Sequence, residues 1–158
     1  MTYTYNDGGR KAAGYKSTAG DCVCRAIAIA AELPYQEVYD ALAEGNATQR
    51  RSKREMRKPR PSLTGVKTAR NGIFTQRKWF KDYMKTLGFE WTPTMTIGSG
   101  CTVHVRADEL PSGRLVLNLS RHSAAFIDGV LHDTHDSSHS ATVGEGKRCV
   151  YGYWRKAN

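Results

Sequence analysis

No apolar run in the 158-residue chain approaches the roughly 18 residues that a bilayer-spanning helix requires, so no membrane segment is expected. The opening stretch, MTYTYNDGGRKAAGYK, lacks the apolar centre of a secretory signal, and the expected location is the cytoplasm. Cysteine is sparse: Cys22, Cys24, Cys101 and Cys149 form no CxxC pair and no framework of regular spacings. In a chain without an export signal this predicts reduced thiols and no cysteine-based zinc centre. With 39% apolar and 25% charged residues, a disordered or fibrous chain is also excluded. The length suits one domain, residues 1–158.

Acidic residues are nearly missing from one segment. Between Arg50 and Lys85 there are 13 basic and 2 acidic residues, while the remainder of the chain carries a net charge of −2. The protein is therefore a nearly neutral domain with one basic segment. Within it QRRSKREMRKPRPSLTG has no helical stripe and contains Pro59 and Pro61, which predicts a mobile basic loop over 50–62. Arg50, Arg51, Lys53, Arg54, Arg57, Lys58 and Arg60 are its candidate binding residues. Residues 50–85 as a whole offer a surface for nucleic-acid phosphates or for an acidic protein. The aromatics that follow, Trp79, Phe80 and Tyr83, fall at helical spacing and are expected in the core.

Residues 1–20 are rich in Gly, Tyr and Thr and predict an extended arm or loop. DCVCRAIAIAAEL predicts a buried helix with Asp21 as its N-cap. Pro34 opens a second helix that Gly45–Asn46 should stop, and a third is expected from about Thr75 to Leu87. From residue 94 the pattern turns to strands: TMTI, CTVHV, RLVLNLS, HSAAFID, VLHDT and RCVYGYWR. Helices first and strands second predict an α+β fold with an antiparallel sheet.

The most constrained stretch is HSAAFIDGVLHDT. Asp128-Gly129 between apolar segments is a two-residue hairpin signal. Such a turn pairs Ile127 with Val130 and Phe126 with Leu131. Alternation then places His122, Ala124 and Phe126 on the face of Leu131, Asp133 and His135. His122 and Asp133 become diagonal neighbours roughly 7–8 Å apart at Cα, within imidazole–carboxylate reach. Cys22, in the first turn of an apolar helix, sits where free N–H groups favour a thiolate. A nucleophilic cysteine needs a base and a group that orients the base, and Cys22, His122 and Asp133 supply the three. The remaining histidines suggest no metal site, because alternation sends His132 and His135 to opposite faces and His139 falls in a polar loop.

The order helix-Cys, strand-His, next-strand Asp resembles the papain-like cysteine peptidase fold in reduced form. GDCVCRAIAIA is similar to the Asp-Cys helix start of bacterial double-glycine-leader peptidases, and RHSAAFIDGVLHDT to their His and Asp strand pair and to that of transglutaminase-like proteins. Small uncharacterised phage and prophage proteins share the pattern. The resemblance covers about residues 20–33 and 114–136. It implies Cys22 as nucleophile, His122 as general base and acid, and Asp133 as the orienting group. The family's oxyanion-hole glutamine has no counterpart. Its position is Lys16, so Lys16, Thr18 or a backbone N–H would have to act with the Cys22 amide. Where papain has a second cysteine this chain has Arg25, and Cys24 points away from Cys22 on the helix.

These observations together predict a papain-like cysteine hydrolase or acyltransferase acting on a peptide or isopeptide bond of a protein substrate, without a cofactor. The alternative is an inactive papain-like scaffold that binds nucleic acid or a host protein through its basic surface.

Overall fold

The computed structural model describes residues 2–17, 19–49, 53, 57, 66–70 and 73–158. Among them are three helices, α1 (Cys22–Ala31), α2 (Tyr35–Thr48) and α3 (Lys78–Thr86). Six strands follow the order β1 (Thr2–Tyr5), β2 (Phe89–Pro93), β3 (Arg114–Leu119), β4 (His122–Ile127), β5 (Val130–Asp133) and β6 (Gly152–Lys156) along the chain. They form one sheet in the spatial order β1-β5-β4-β3-β6-β2. The architecture is α+β.

The β4–β5 hairpin has the expected register: Ile127 pairs with Val130, Phe126 with Leu131 and Ala125 with His132. Asp128 and Gly129 both have positive φ, 46° and 85°, as a tight turn matched to strand twist requires. The Asp128 carboxylate further accepts from the Gly113 N–H at 2.7 Å, tying the hairpin tip to the start of β3.

The sheet has a separate core on each face. On one side α1 lies across β3 and β4, where Ile27 and Ala30 join Val116, Ala125 and Trp154 with Val38 and Leu42 of α2 and Phe80 and Met84 of α3. On the other, Leu115, Leu117, Ala124, Phe126 and Leu131 are covered by Val105, Leu110 and Val150 from irregular segments. Burial of apolar side chains at about 25 cal/mol per Å² makes this two-sided packing the main stabilising contribution. Arg114 fixes the direction of α1 by donating to the Ala30 and Ile29 carbonyls, both at 2.7 Å, at the end where helix carbonyls lack partners.

Five expectations need correction. First, the sheet is mixed, because β1, predicted as an arm, pairs in parallel with β5. Second, residues 94–97 and 101–105 are not strands. The latter makes only the bridge His104–Cys149, while FEWTP is strand β2. Third, Cys101 and Cys149 form a disulfide across 48 residues, because the Val150 N–H bonds the Val103 carbonyl and lays the two segments side by side. Only Cys22 and Cys24 are free thiols. Fourth, Gly45 does not stop α2, which runs on to Thr48. A Cβ there would sit 2.2 Å from the Trp79 ring, so this glycine lets α3 approach closely, and Asn46 donates to the Val66 and Thr68 carbonyls. Fifth, α3 starts at Lys78 rather than Thr75. Most of the expected loop at 50–62 lies outside the described residues.

Candidate active site

The site forms at one end of the sheet. His122 is the first residue of β4 and Asp133 the last of β5, so the hairpin brings both to the same end, where the N-terminus of α1 also arrives. His122 Nε2 lies 2.5 Å from Asp133 Oδ2. The Cys22 thiol sits close enough to the His122 ring and the Ser123 N–H for both to lower its pKa. The three residues brought together by register and chain order in the sequence are thus in contact as a chain from thiol to imidazole to carboxylate.

Cys22 opens α1 ahead of the first intrahelical bond, from Arg25 N–H to Asp21 O at 3.1 Å, so the amides of its turn are free. Burial pushes its thiol pKa up, but the bond to His122, that ring's charge, the Ser123 amide and Arg25 outweigh burial and leave it below 9.0. Burial pushes His122 down; the Asp133 hydrogen bond and the Cys22 pairing reverse this and raise it to about 9. Burial opposes the Asp133 charge too, yet His122, the Ser137 hydroxyl at 2.8 Å and the Thr134 N–H at 2.7 Å hold its carboxyl below the ordinary value. A lowered thiol beside a raised imidazole shifts the pair toward thiolate and imidazolium. Cys24, two residues on, is buried and faces the core, where burial raises its thiol to about 12.

Asp21 does not cap α1. Its side chain makes no cap hydrogen bond and instead accepts from Arg10 Nη1 at 2.9 Å, the Tyr35 hydroxyl at 2.5 Å and Arg25 Nη1. Three stronger donors outcompete the helix amides, and the carboxylate is fully buried among them. Arg25 was missed as a site residue. It is only 8% exposed and lies between two carboxylates, bonding Asp21 and standing 3.7 Å from Asp133. The signal was present in the sequence: one arginine interrupts an otherwise apolar helix, where a charge persists only if paired. Gly8 is needed here as well, since at φ 69° it crosses α1 with its Cβ position 3.0 Å from the Arg25 carbonyl.

A cavity of about 1750 Å³ opens on Cys22 and His122. Arg10, Lys11, Lys16, Arg25 and Arg121 line it with Asp7 as the one acidic lining residue, and Trp91, Pro93, Met95 and Tyr151 give it an apolar wall. Lys16 is exposed on this lining, and its carbonyl accepts from Arg10 Nη2 at 3.1 Å. Thr18 lies outside the described residues. Asn118, also unmarked in the sequence, lines the cavity with a buried Oδ1 that has no partner among the described residues, while its Nδ2 donates to Thr75. Of the basic candidates, Lys53 and Arg57 are exposed and are not among the cavity's lining residues. Arg50, Arg51, Arg54, Lys58 and Arg60 lie outside the described residues. No described helix is long and apolar enough to cross a membrane.

No protein-family model, curated protein or solved structure matches this chain.

Proposed function

We propose that the protein is a papain-like cysteine hydrolase or acyltransferase that attacks a peptide or isopeptide carbonyl with the Cys22 thiolate. The observation that carries this reading is the unbroken contact from Cys22 through His122 to Asp133 beside a large open cavity. The thiolate adds to the carbonyl, and the oxyanion meets the free amides of the first turn of α1. The His122 imidazolium gives its proton to the leaving amine, and a thioester remains on Cys22. Water or an acceptor amine, deprotonated by the neutral imidazole, then releases the acyl group. Asp133 holds the ring in position throughout.

The reading favours an extended peptide bearing acidic side chains as substrate, and the cavity's lining supports it. Arg10 and Arg25 are held by Asp21, which leaves Lys11, Lys16 and Arg121 as the lining cations against Asp7, and the orphaned Asn118 oxygen is an acceptor suited to a backbone N–H. The net basic charge of residues 50–85 supports a second contact with such an acidic partner, with Lys53 and Arg57 exposed.

An activated thioester of a short acidic peptide tests the reading. Mass spectrometry after rapid quenching is expected to show one acyl group on Cys22, abolished in Cys22→Ala. Acylation spread over surface lysines and independent of Cys22 overturns it.

A further inference from the structure

We propose that His122, Asp133 and His135 form a zinc site at the mouth of the cavity. One ligand atom of each lies within 4.8 Å of the other two. The imidazoles of His122 and His135 face each other with ring centroids 5.1 Å apart and planes tilted by 48°. Both histidines line the open cavity, so an ion reaches them from solvent. Two imidazole nitrogens, a carboxylate oxygen and a free position toward water are the donor set that Zn²⁺ takes in tetrahedral sites. Zinc–ligand distances of about 2.0–2.1 Å set the donors roughly 3.3 Å apart, so His122 Nε2 and Asp133 Oδ2, now 2.5 Å apart, must open around the ion while His135 closes on it. The exposed His135 side chain has the freedom to supply that movement.

The supports of such a site are already in place. The Ser137 hydroxyl and the Thr134 N–H orient the Asp133 carboxylate. Groups of this kind fix the ligands of metal sites and set their affinity. The hairpin alternation of the sequence already put His122, Asp133 and His135 on one face, and the structure brings their ligand atoms together.

The consequence for catalysis rests on the reading under Proposed function. When zinc takes His122 Nε2, the proton that Nε2 shared with Asp133 leaves to solvent and Asp133 becomes a ligand. Giving the remaining ring proton to a leaving group would create an imidazolate instead of a neutral imidazole. Proton transfer stops, and zinc acts as an inhibitor of turnover.

Competition between the full-length protein and a chromophoric chelator for Zn²⁺ tests the site without reference to activity. One equivalent is expected to bind the wild type, His135→Ala to weaken binding at least about tenfold, and Cys22→Ala to leave it essentially unchanged. His135→Ala, at an exposed side chain, should keep the wild-type unfolding midpoint in the absence of zinc. No competition with the chelator, or binding that survives His135→Ala and disappears in Cys22→Ala, overturns the proposal. If zinc binds with the expected His135 dependence but no thioester ever forms on Cys22, the site stands and the hydrolase reading falls.

Discussion

Replacing Cys22 or His122 by alanine is expected to reduce turnover of a peptide thioester or amide by on the order of 10⁴-fold or more, and replacing both should be little worse than either alone. The reason is that the two act as one unit: without the imidazole the thiol loses its activating partner, and without the sulfur the imidazole has nothing to activate. Asp133→Asn is expected to be milder, because the amide oxygen still accepts from the ring while the stabilising charge is gone. Initial rates for the three single variants and the Cys22→Ala/His122→Ala double variant check this. Multiplicative losses would mean that the contact between thiol and imidazole is not used as a unit. The proteins should all remain folded. Cys22 and His122 are partly exposed at the cavity, and truncation there leaves no sealed void.

Asp21→Ala is the opposite case, with a large expected effect on stability. It strips Arg10, Arg25 and Tyr35 of their shared acceptor and leaves guanidinium charge inside the protein. Breaking one side of a buried ion pair costs about 3–5 kcal/mol. Denaturant unfolding should show a loss of that size. The same cluster holds the N-terminal loop against α1, so the Cys22 turn should also lose its position. A destabilisation below about 1 kcal/mol would show that the cluster relaxes into water and does not anchor the helix.

The parts of this molecule legible in its sequence were those set by short-range rules. Asp128-Gly129 dictated a turn, the turn dictated a register, and the register placed His122 beside Asp133 two strands from any other constraint. The apolar run after Asp21 dictated a buried helix with Cys22 in its first turn. Features that depend on partners distant in the chain were not legible. β1 is only four residues, Thr-Tyr-Thr-Tyr, too short for its alternation to identify a strand, and its parallel pairing with Val130–Asp133 makes it one. The disulfide joins Cys101 to Cys149 because Val103 and Val150 are neighbours across a bridge that neither segment announces. Gly45 reads as a helix stop until Trp79 is placed over it. Asp21 reads as a cap until Arg10, Tyr35 and Arg25 arrive with stronger hydrogen bonds. In each instance tertiary contacts overrode a correct local preference.

The central claim is that Cys22 is a thiolate paired with the His122 imidazolium. The pH dependence of its alkylation by a haloacetamide tests this most directly. The Cys22 pKa is lowered from 9.0, so the reactive thiolate should persist as pH falls below that value. The His122 pKa is raised to about 9, so the imidazolium should persist up to that pH and support turnover until it is lost there. Non-reducing labelling is therefore expected to modify Cys22 rapidly at pH 7, to leave Cys24 untouched until the protein unfolds, and in His122→Ala to rise only as pH approaches the ordinary thiol range. Labelling of Cys22 that climbs through pH 9 identically in wild type and His122→Ala would contradict the account.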